Sequence, residues 1–409
     1  MNQQLNSLQP YPFEKLRLLF DGMTPPTGLR PINLGIGEPK HPTPELIKTA
    51  MCDHLGGLAS YPSTIGSDDL RRAIATWLEH RYAIQQPDPA TQVLPVNGSR
   101  EALFAFAQST IDASGSVRPV VMCPNPFYQI YEGAALLAGA EPYFVNADPA
   151  RNFAPDYASV PEHIWQRVQL LFVCSPGNPT GAVLNLDDWR QLFALSDRYG
   201  FVIASDECYS EIYFGTDAPL GGMEAAQRLG RTDYARLVSF SSLSKRSNVP
   251  GMRSGFVAGD AVLLKQFLTY RTYHGCAMSP TVQAASAVAW RDEQHVIDNR
   301  RLYASKFATV TPMLQQVMQV QLPDAGFYLW ADVSGCAGPG HKMSDTEFAQ
   351  RLYADFNVTV LPGSYLARDN VEGINPGRGR IRMALVASVE ECTEAAQRII
   401  ALVQQLRAG

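Results

Sequence analysis

Lys245 and Arg253 stand eight residues apart in Ser239–Gly255, SFSSLSKRSNVPGMRSG, which opens within the apolar run Leu237–Phe240. A lysine where a strand ends and the chain turns lies at the carboxyl edge of a sheet, where open α/β folds bind ligands. Its amine can form a Schiff base with a carbonyl compound. The planar fork of Arg253 suits phosphate oxygens. Taken alone, the stretch is equally compatible with a solvated loop whose charges face water.

Other runs end on comparable groups. Val168–Cys174 is almost continuously apolar, as a parallel strand buried on both faces would be. It leads into Ser175-Pro176-Gly177-Asn178-Pro179-Thr180-Gly181, where the Asn178 amide can donate to a ligand oxygen. Phe201–Ser205 ends at Asp206-Glu207-Cys208-Tyr209. An aspartate at the end of a buried strand needs a partner, and a cationic ring nitrogen is one. Val93–Val96 ends at Asn97-Gly98-Ser99-Arg100. With Ser99 as N-cap, the helix Ser99–Ile111 offers an anion site at its start. Val117–Cys123 precedes Phe127 and Tyr128, which could cover a flat ligand. In Arg380–Leu385, period-two alternation puts Arg380 and Arg382 on one face. Gly37 would let backbone approach a ligand closely, and Tyr61 is a loop aromatic with a hydroxyl. For each of these residues alone, packing, capping or solvation is explanation enough.

The elements that must position them read as alternating strands and helices. Asp68–Tyr82 carries Leu70, Ile74, Trp77 and Leu78 on one stripe. Asp187–Tyr199 is expected to be capped by Asp187 and stopped by Gly200, and a long helix should run from about Glu293 to Val317. Alternation of this kind implies a mostly parallel sheet whose loops converge on one ligand crevice. The chain has 409 residues, enough for two domains. We expect an N-terminal arm with part of a small domain over 1–50, a large domain over 51–290 and the rest of the small domain over 291–409.

Composition excludes several classes. A net charge of −5 gives no reason to expect nucleic acid or an anionic membrane as partner. Seven cysteines without a C-x-x-C pair argue for reduced thiols, and seven histidines without H-E-x-x-H spacing argue against a metal site. No apolar run is long enough to cross a bilayer, and no G-x-G-x-x-G follows a first strand. The expected location is the cytoplasm.

In combination and in this order, SPGNPTG, the Asp206/Tyr209 pair, the Lys245/Arg253 pair and RIRMA resemble the class I/II, fold-type I aminotransferases that use pyridoxal 5'-phosphate (PLP). The resemblance runs from about Ile32 to the C-terminus. It implies an α/β fold: a large domain with a mostly parallel sheet flanked by helices, plus a smaller α+β domain. It also implies roles. Lys245 would hold PLP as a Schiff base and later act as acid and base for the proton shift. Asp206 would pair with the pyridinium nitrogen. Tyr209 and Asn178 would hydrogen-bond the ring 3'-oxygen, and Tyr128 would stack on the ring. Gly98, Ser99 and Arg100 would cradle the phosphate by backbone and cap, helped by Ser242 and Arg253. Tyr61 would reach the phosphate in the neighbouring subunit of a homodimer. Arg382 would grip the substrate α-carboxylate beside the Gly37 backbone and Asn178. It is preferred to Arg380 because the family's arginine precedes a pair like Met383-Ala384.

A narrower resemblance lies in SSLSKRSNVPGMRSGFVAGD, AGFYLWADV and NPGRGRIRMALVAS, which look like the succinyldiaminopimelate aminotransferases. It implies exchange of an amino group between N-succinyl-LL-2,6-diaminopimelate and 2-oxoglutarate, giving N-succinyl-L-2-amino-6-oxopimelate and glutamate. The alternatives are an aminotransferase for aspartate, alanine or aromatic amino acids, or a PLP-dependent C–S lyase. A substrate with several carboxylates calls for further cations, for which Arg30, Arg271, Arg368 and Arg378 are the possibilities.

Overall fold

The computed structural model describes residues 3–408 apart from 339, 341 and 371. Its strands, in chain order, are β1 (Ile32–Asn33), β2 (Val93–Val96), β3 (Val120–Asn125), β4 (Glu141–Asp148), β5 (Ala154–Pro155), β6 (Val168–Cys174), β7 (Val202–Asp206), β8 (Leu237–Ser242), β9 (Gly255–Gly259), β10 (Tyr328–Asp332), β11 (Val358–Thr359), β12 (Leu361–Pro362) and β13 (Arg380–Ala384). Eight of them form one sheet in the order β2-β9-β8-β7-β6-β3-β4-β5. Strands β4, β3, β6, β7 and β8 are parallel; β9 is antiparallel to both β8 and β2. The carboxyl ends of β2, β3, β6, β7 and β8 therefore share one edge with the beginning of β9.

Period-two alternation explains why these runs are apolar throughout. Leu171, Val173 and Ile203 pack on one face with Trp77, Trp189 and Trp290, while Leu170, Phe172 and Ala204 pack on the other with Phe106, Tyr131 and Phe267. Helices cover both faces, so neither side of the central strands meets water. Ile47 and Ala50 of the helix Glu45–Asp53 join the first cluster, so this helix lies with the large sheet. β3 starts at Val120 rather than Val117: Val117 is exposed, and Pro119 has no N–H for a ladder.

A three-stranded antiparallel sheet, β10-β13-β12, and a parallel pair, β1 with β11, form the second unit. Strands β11 and β12, one residue apart, thus pair with different partners. Its core joins Ile32 and Leu34 to Tyr303, Phe307, Leu329, Ile381 and Ile399. The long helix runs Gln294–Gln315 and the last helix Val389–Ala408. Among the described residues no helix is long and apolar enough to cross a membrane.

Two caps differ from expectation. The helix Ser99–Thr110 is capped by Gly98, at φ +86°, so Ser99 is its first residue. The helix Leu186–Tyr199 is capped by Asn185, whose side chain and that of Asp188 form a reciprocal capping box; Gly200 ends it at φ +81° as expected.

Candidate active site

The shared edge of the large sheet, the segment after β1 and Arg382 of β13 enclose a cavity of about 480 Å³, a volume ordinary for a small-molecule site. Lys245, Arg100, Arg253 and Arg382 line it, with Asp206 and Glu38 as the carboxylates. The cavity is cationic in a chain of net charge −5, which suits a ligand with several negative groups.

Lys245 sits in the short helix Leu243–Arg246, whose start is capped by Ser242. Its ammonium donates to the Gly37 carbonyl at 2.7 Å and lies 5.4 Å from the centre of the Phe327 ring. Burial lowers its pKa to about 8, with Arg382 and Arg100 pulling the same way and Cys208 and Glu38 opposing. Asp206 ends β7. One oxygen accepts from the Tyr131 hydroxyl at 2.8 Å and the other from the Cys208 N–H at 3.3 Å. Burial pushes this carboxyl up, and among the described residues no cation hydrogen-bonds to it.

At the other end of the cavity, Gly98 brings the chain into the helix Ser99–Thr110 so tightly that a Cβ there would overlap the Arg253 guanidinium. Arg253 is itself left-handed, at φ +54°, and donates to the Pro250 carbonyl at 2.8 Å. The Ser242 and Ser244 hydroxyls, 2.9 Å apart, complete this end. An arginine fork, two hydroxyls and a helix N-terminus make an anion cradle.

Arg382 donates to the Asn178 side-chain oxygen at 3.0 Å and the Gly35 carbonyl at 2.8 Å, and lies 4.3 Å from the centre of the Tyr328 ring. Its Nε is buried and unpartnered. Arg380 instead faces Asp332 at 3.5 Å and the Phe153 ring, away from the cavity. The Tyr209 and Tyr328 hydroxyls are 3.1 Å apart, and burial raises the Tyr209 phenol. Arg100 donates to the Tyr128 hydroxyl at 2.6 Å and the Tyr11 hydroxyl at 3.4 Å.

Gly37, Ser99, Arg100, Tyr128, Asn178, Asp206, Tyr209, Ser242, Lys245, Arg253 and Arg382 thus meet at the cavity, with Gly98 just behind it. Tyr61 does not: it is fully exposed. Ser99 enters in a role other than the expected cap, since its hydroxyl accepts from the Cys208 thiol at 2.9 Å. None of the four extra arginines lines the cavity. Arg30 pairs with Glu391 and Glu394, Arg271 with Glu101, Arg368 with Glu132 and Arg378 with Asp369. Tyr11, Tyr131, Cys208 and Tyr328 were missed; Tyr131 lies three residues after Tyr128, a helical spacing that could have pointed to it.

The donor set fits PLP. The cradle at Gly98 and Arg253 could take a phosphate, the buried Asp206 carboxylate a protonated ring nitrogen, and the Lys245 amine an aldehyde. Gly98→Ala should therefore weaken PLP binding by at least about tenfold, because the added Cβ meets Arg253 and a non-glycine residue at φ +86°, ψ +154° costs about 1–3 kcal/mol. Titrating the cofactor-free chain with PLP by absorbance measures this; wild-type affinity would show that the cradle lies elsewhere.

The aminotransferase class I and II family model matches residues 30–399. The LL-diaminopimelate aminotransferase of Syntrophobacter fumaroxidans is 31% identical over 405 residues, 97% of each chain. Among solved structures, an aminotransferase from Neisseria meningitidis matches with a TM-score of 0.94 at 54% identity, covering 98% of this chain and 100% of that one. A probable N-succinyldiaminopimelate aminotransferase from Thermus thermophilus matches with a TM-score of 0.82 at 25% identity, over 96% of this chain and 98% of that one.

Proposed function

We propose that this chain, which belongs to the class I and II aminotransferases and so uses PLP, transaminates a diaminopimelate-type substrate. The reading is exchange between N-succinyl-LL-2,6-diaminopimelate and 2-oxoglutarate; the Thermus neighbour, named a probable N-succinyldiaminopimelate aminotransferase, supports the succinylated substrate. Free LL-diaminopimelate is the second reading, favoured by the name of the Syntrophobacter relative. The observation that carries the substrate class is Arg100: it lines the cavity, and its hydrogen-bond partners are the Tyr128 and Tyr11 hydroxyls rather than a carboxylate. Arg382 is one carboxylate anchor; Arg100 supplies a second.

Bound PLP supplies an electron sink that acidifies the substrate Cα–H. The chain's own residues do the rest. Lys245 would anchor the cofactor, and its Nζ would serve as acid and base for the 1,3-proton shift that begins at the substrate Cα, work that favours an amine titrating near neutrality. Asp206 keeps a proton on the ring nitrogen. Arg382 fixes the α-carboxylate, and Asn178 and Gly35 hold its fork in place. Tyr128 walls the cavity, and Tyr209, tied to Tyr328, donates to the ring oxygen. Tyr61 would serve the cradle of a second copy, which makes the working unit a homodimer; sedimentation as a monomer at assay concentration would overturn that.

Single-turnover conversion of the PLP form tests the substrate. Rates with N-succinyl-diaminopimelate and free LL-diaminopimelate should far exceed those with aspartate, alanine or aromatic amino acids, and their ratio chooses between the two readings. The reverse ranking overturns the substrate class. Pyruvate and sulfide released from cysteine would make it a lyase. Arg100→Met should raise KM for the preferred diaminopimelate by at least about tenfold, the loss of a charge-assisted pair. An unchanged KM in a PLP-loaded variant assigns the distal carboxylate to another residue.

A further inference from the structure

A second lysine lies outside the cavity. Lys306, on the helix Gln294–Gln315, is buried and sits 2.6 Å from His41 Nε2 and 3.3 Å from the Val386 carbonyl. An ammonium can only donate, so His41 Nε2 accepts and Nδ1 carries the ring proton. Nδ1 lies 2.7 Å from the Asn299 side-chain oxygen, which also accepts from the Asn248 amide at 3.0 Å. That fixes the orientation of Asn299, whose own amide then faces the carbonyls of Lys245 at 3.4 Å and Arg246 at 3.5 Å. Lys306, Asn299 and Asn248 are all buried, so each unmade bond would be costly.

The chain that begins at Lys306 therefore ends on the backbone of Lys245. It also runs beside its side chain. His41 is four residues beyond Gly37, whose carbonyl takes the Lys245 ammonium, and Gly35 accepts from Arg382. One segment, residues 35–41, thus touches the carboxylate anchor, the amine and, through Asn299, the carbonyl of the same lysine.

We propose that Asn299, oriented by His41 and Lys306, is a positioning residue that sets where Lys245 stands relative to Arg382. The proposal rests on Lys245 as the reacting amine. Asn299→Leu keeps the bulk and removes the polar contacts. It should lower kcat by about tenfold or more, the cost of a small misplacement, and leave KM within about twofold. In the PLP-free chain, the pH midpoint for acylation of Lys245 by an amine-directed reagent, located by mass spectrometry, should shift from the wild-type value. That midpoint needs no substrate, so it separates this proposal from the assignment of Lys245, which fails if Lys245→Ala stays active. His41→Leu should behave like Asn299→Leu. His41→Asn keeps a donor where Nδ1 stood and should recover most of kcat. A lowered Tm with kcat and the Lys245 midpoint both at wild-type values overturns the proposal. Should Asn299→Leu fail to fold, the His41 pair decides: equal kcat in His41→Leu and His41→Asn, with an unmoved midpoint, overturns it too.

Discussion

Lys245→Ala should fold, bind PLP reversibly and lose at least about 10³-fold in turnover, within the range expected for removing a positioned acid/base group that is also the cofactor anchor. The expectation comes from two facts. Its Nζ is held over the cavity by the Gly37 carbonyl, and burial has already brought its pKa down to about 8. A lysine in water is almost wholly protonated at pH 8; this one is about half neutral there. In the PLP-free wild type, the reactivity of Lys245 should therefore rise with pH through a midpoint near 8 rather than near 10.5. The linkage sign follows. The folded pKa of this base is depressed, so the folded state carries a penalty while the lysine is charged, and that penalty fades as pH rises from about 8 towards 10.5. Removing the amine removes the penalty, so below pH 8 the PLP-free variant should melt no lower than wild type. Turnover within tenfold of wild type would reassign the shuttle.

The site was legible because a simple rule gathers it. Parallel strands put their carboxyl ends on one edge, so the polar groups after β2, β3, β6, β7 and β8 had to converge once those strands were read as buried runs. Strand pattern alone carried that: Leu170–Cys174 alternates between the two cores residue by residue. What escaped was of two kinds. Caps moved by a residue or two because preference by type competes with backbone conformation. Gly98, free to take φ +86°, turns the chain one residue before Ser99, and Asn185 caps the N–H groups of Asp187 and Asp188, so the helix has already begun before Asp187 could cap it. Long-range pairing escaped altogether. Arg30 meets Glu394 across 364 residues and Arg368 meets Glu132 across 236, so a count of arginines could not say which were already neutralised. Tyrosines at helical or strand spacing look alike whether they face a core or a cavity, and so spacing alone does not mark Tyr131 and Tyr328.

The segment after Lys245 shows the same limit. Arg246 is buried between Trp77 and Trp290, bonds the Ala289 carbonyl and pairs with Glu293; Ser247 meets His295 and Asn248 meets Asn299. Three successive residues thus hold the start of the long helix. Their chemistry is structural support for the lysine rather than contact with a ligand, and nothing in their spacing distinguishes the two before the fold is known.

Asp206→Asn should separate activity from stability in opposite directions. The carboxylate is buried, accepts from Tyr131 and the Cys208 N–H, and meets no hydrogen-bonding cation among the described residues. Burial raises its pKa. For an acid raised in this way the folded state holds its proton more tightly than the unfolded chain does. Stability is then greatest below the unfolded carboxyl pKa and falls as pH rises through the folded one. At neutral pH an ionised Asp206 costs the PLP-free chain stability, and the neutral amide of the variant, which keeps an oxygen for Tyr131, removes that cost. The PLP-free variant should melt above wild type at pH 7, with the difference shrinking as the pH is lowered. Turnover should fall by at least about 10²-fold, because a neutral amide does not hold a proton on a ring nitrogen as a carboxylate does. A higher Tm together with lost turnover cannot come from misfolding. A lower Tm at neutral pH would mean that the carboxylate has a cationic partner in the PLP-free chain, and turnover near wild type would mean that the ring nitrogen is served by another group.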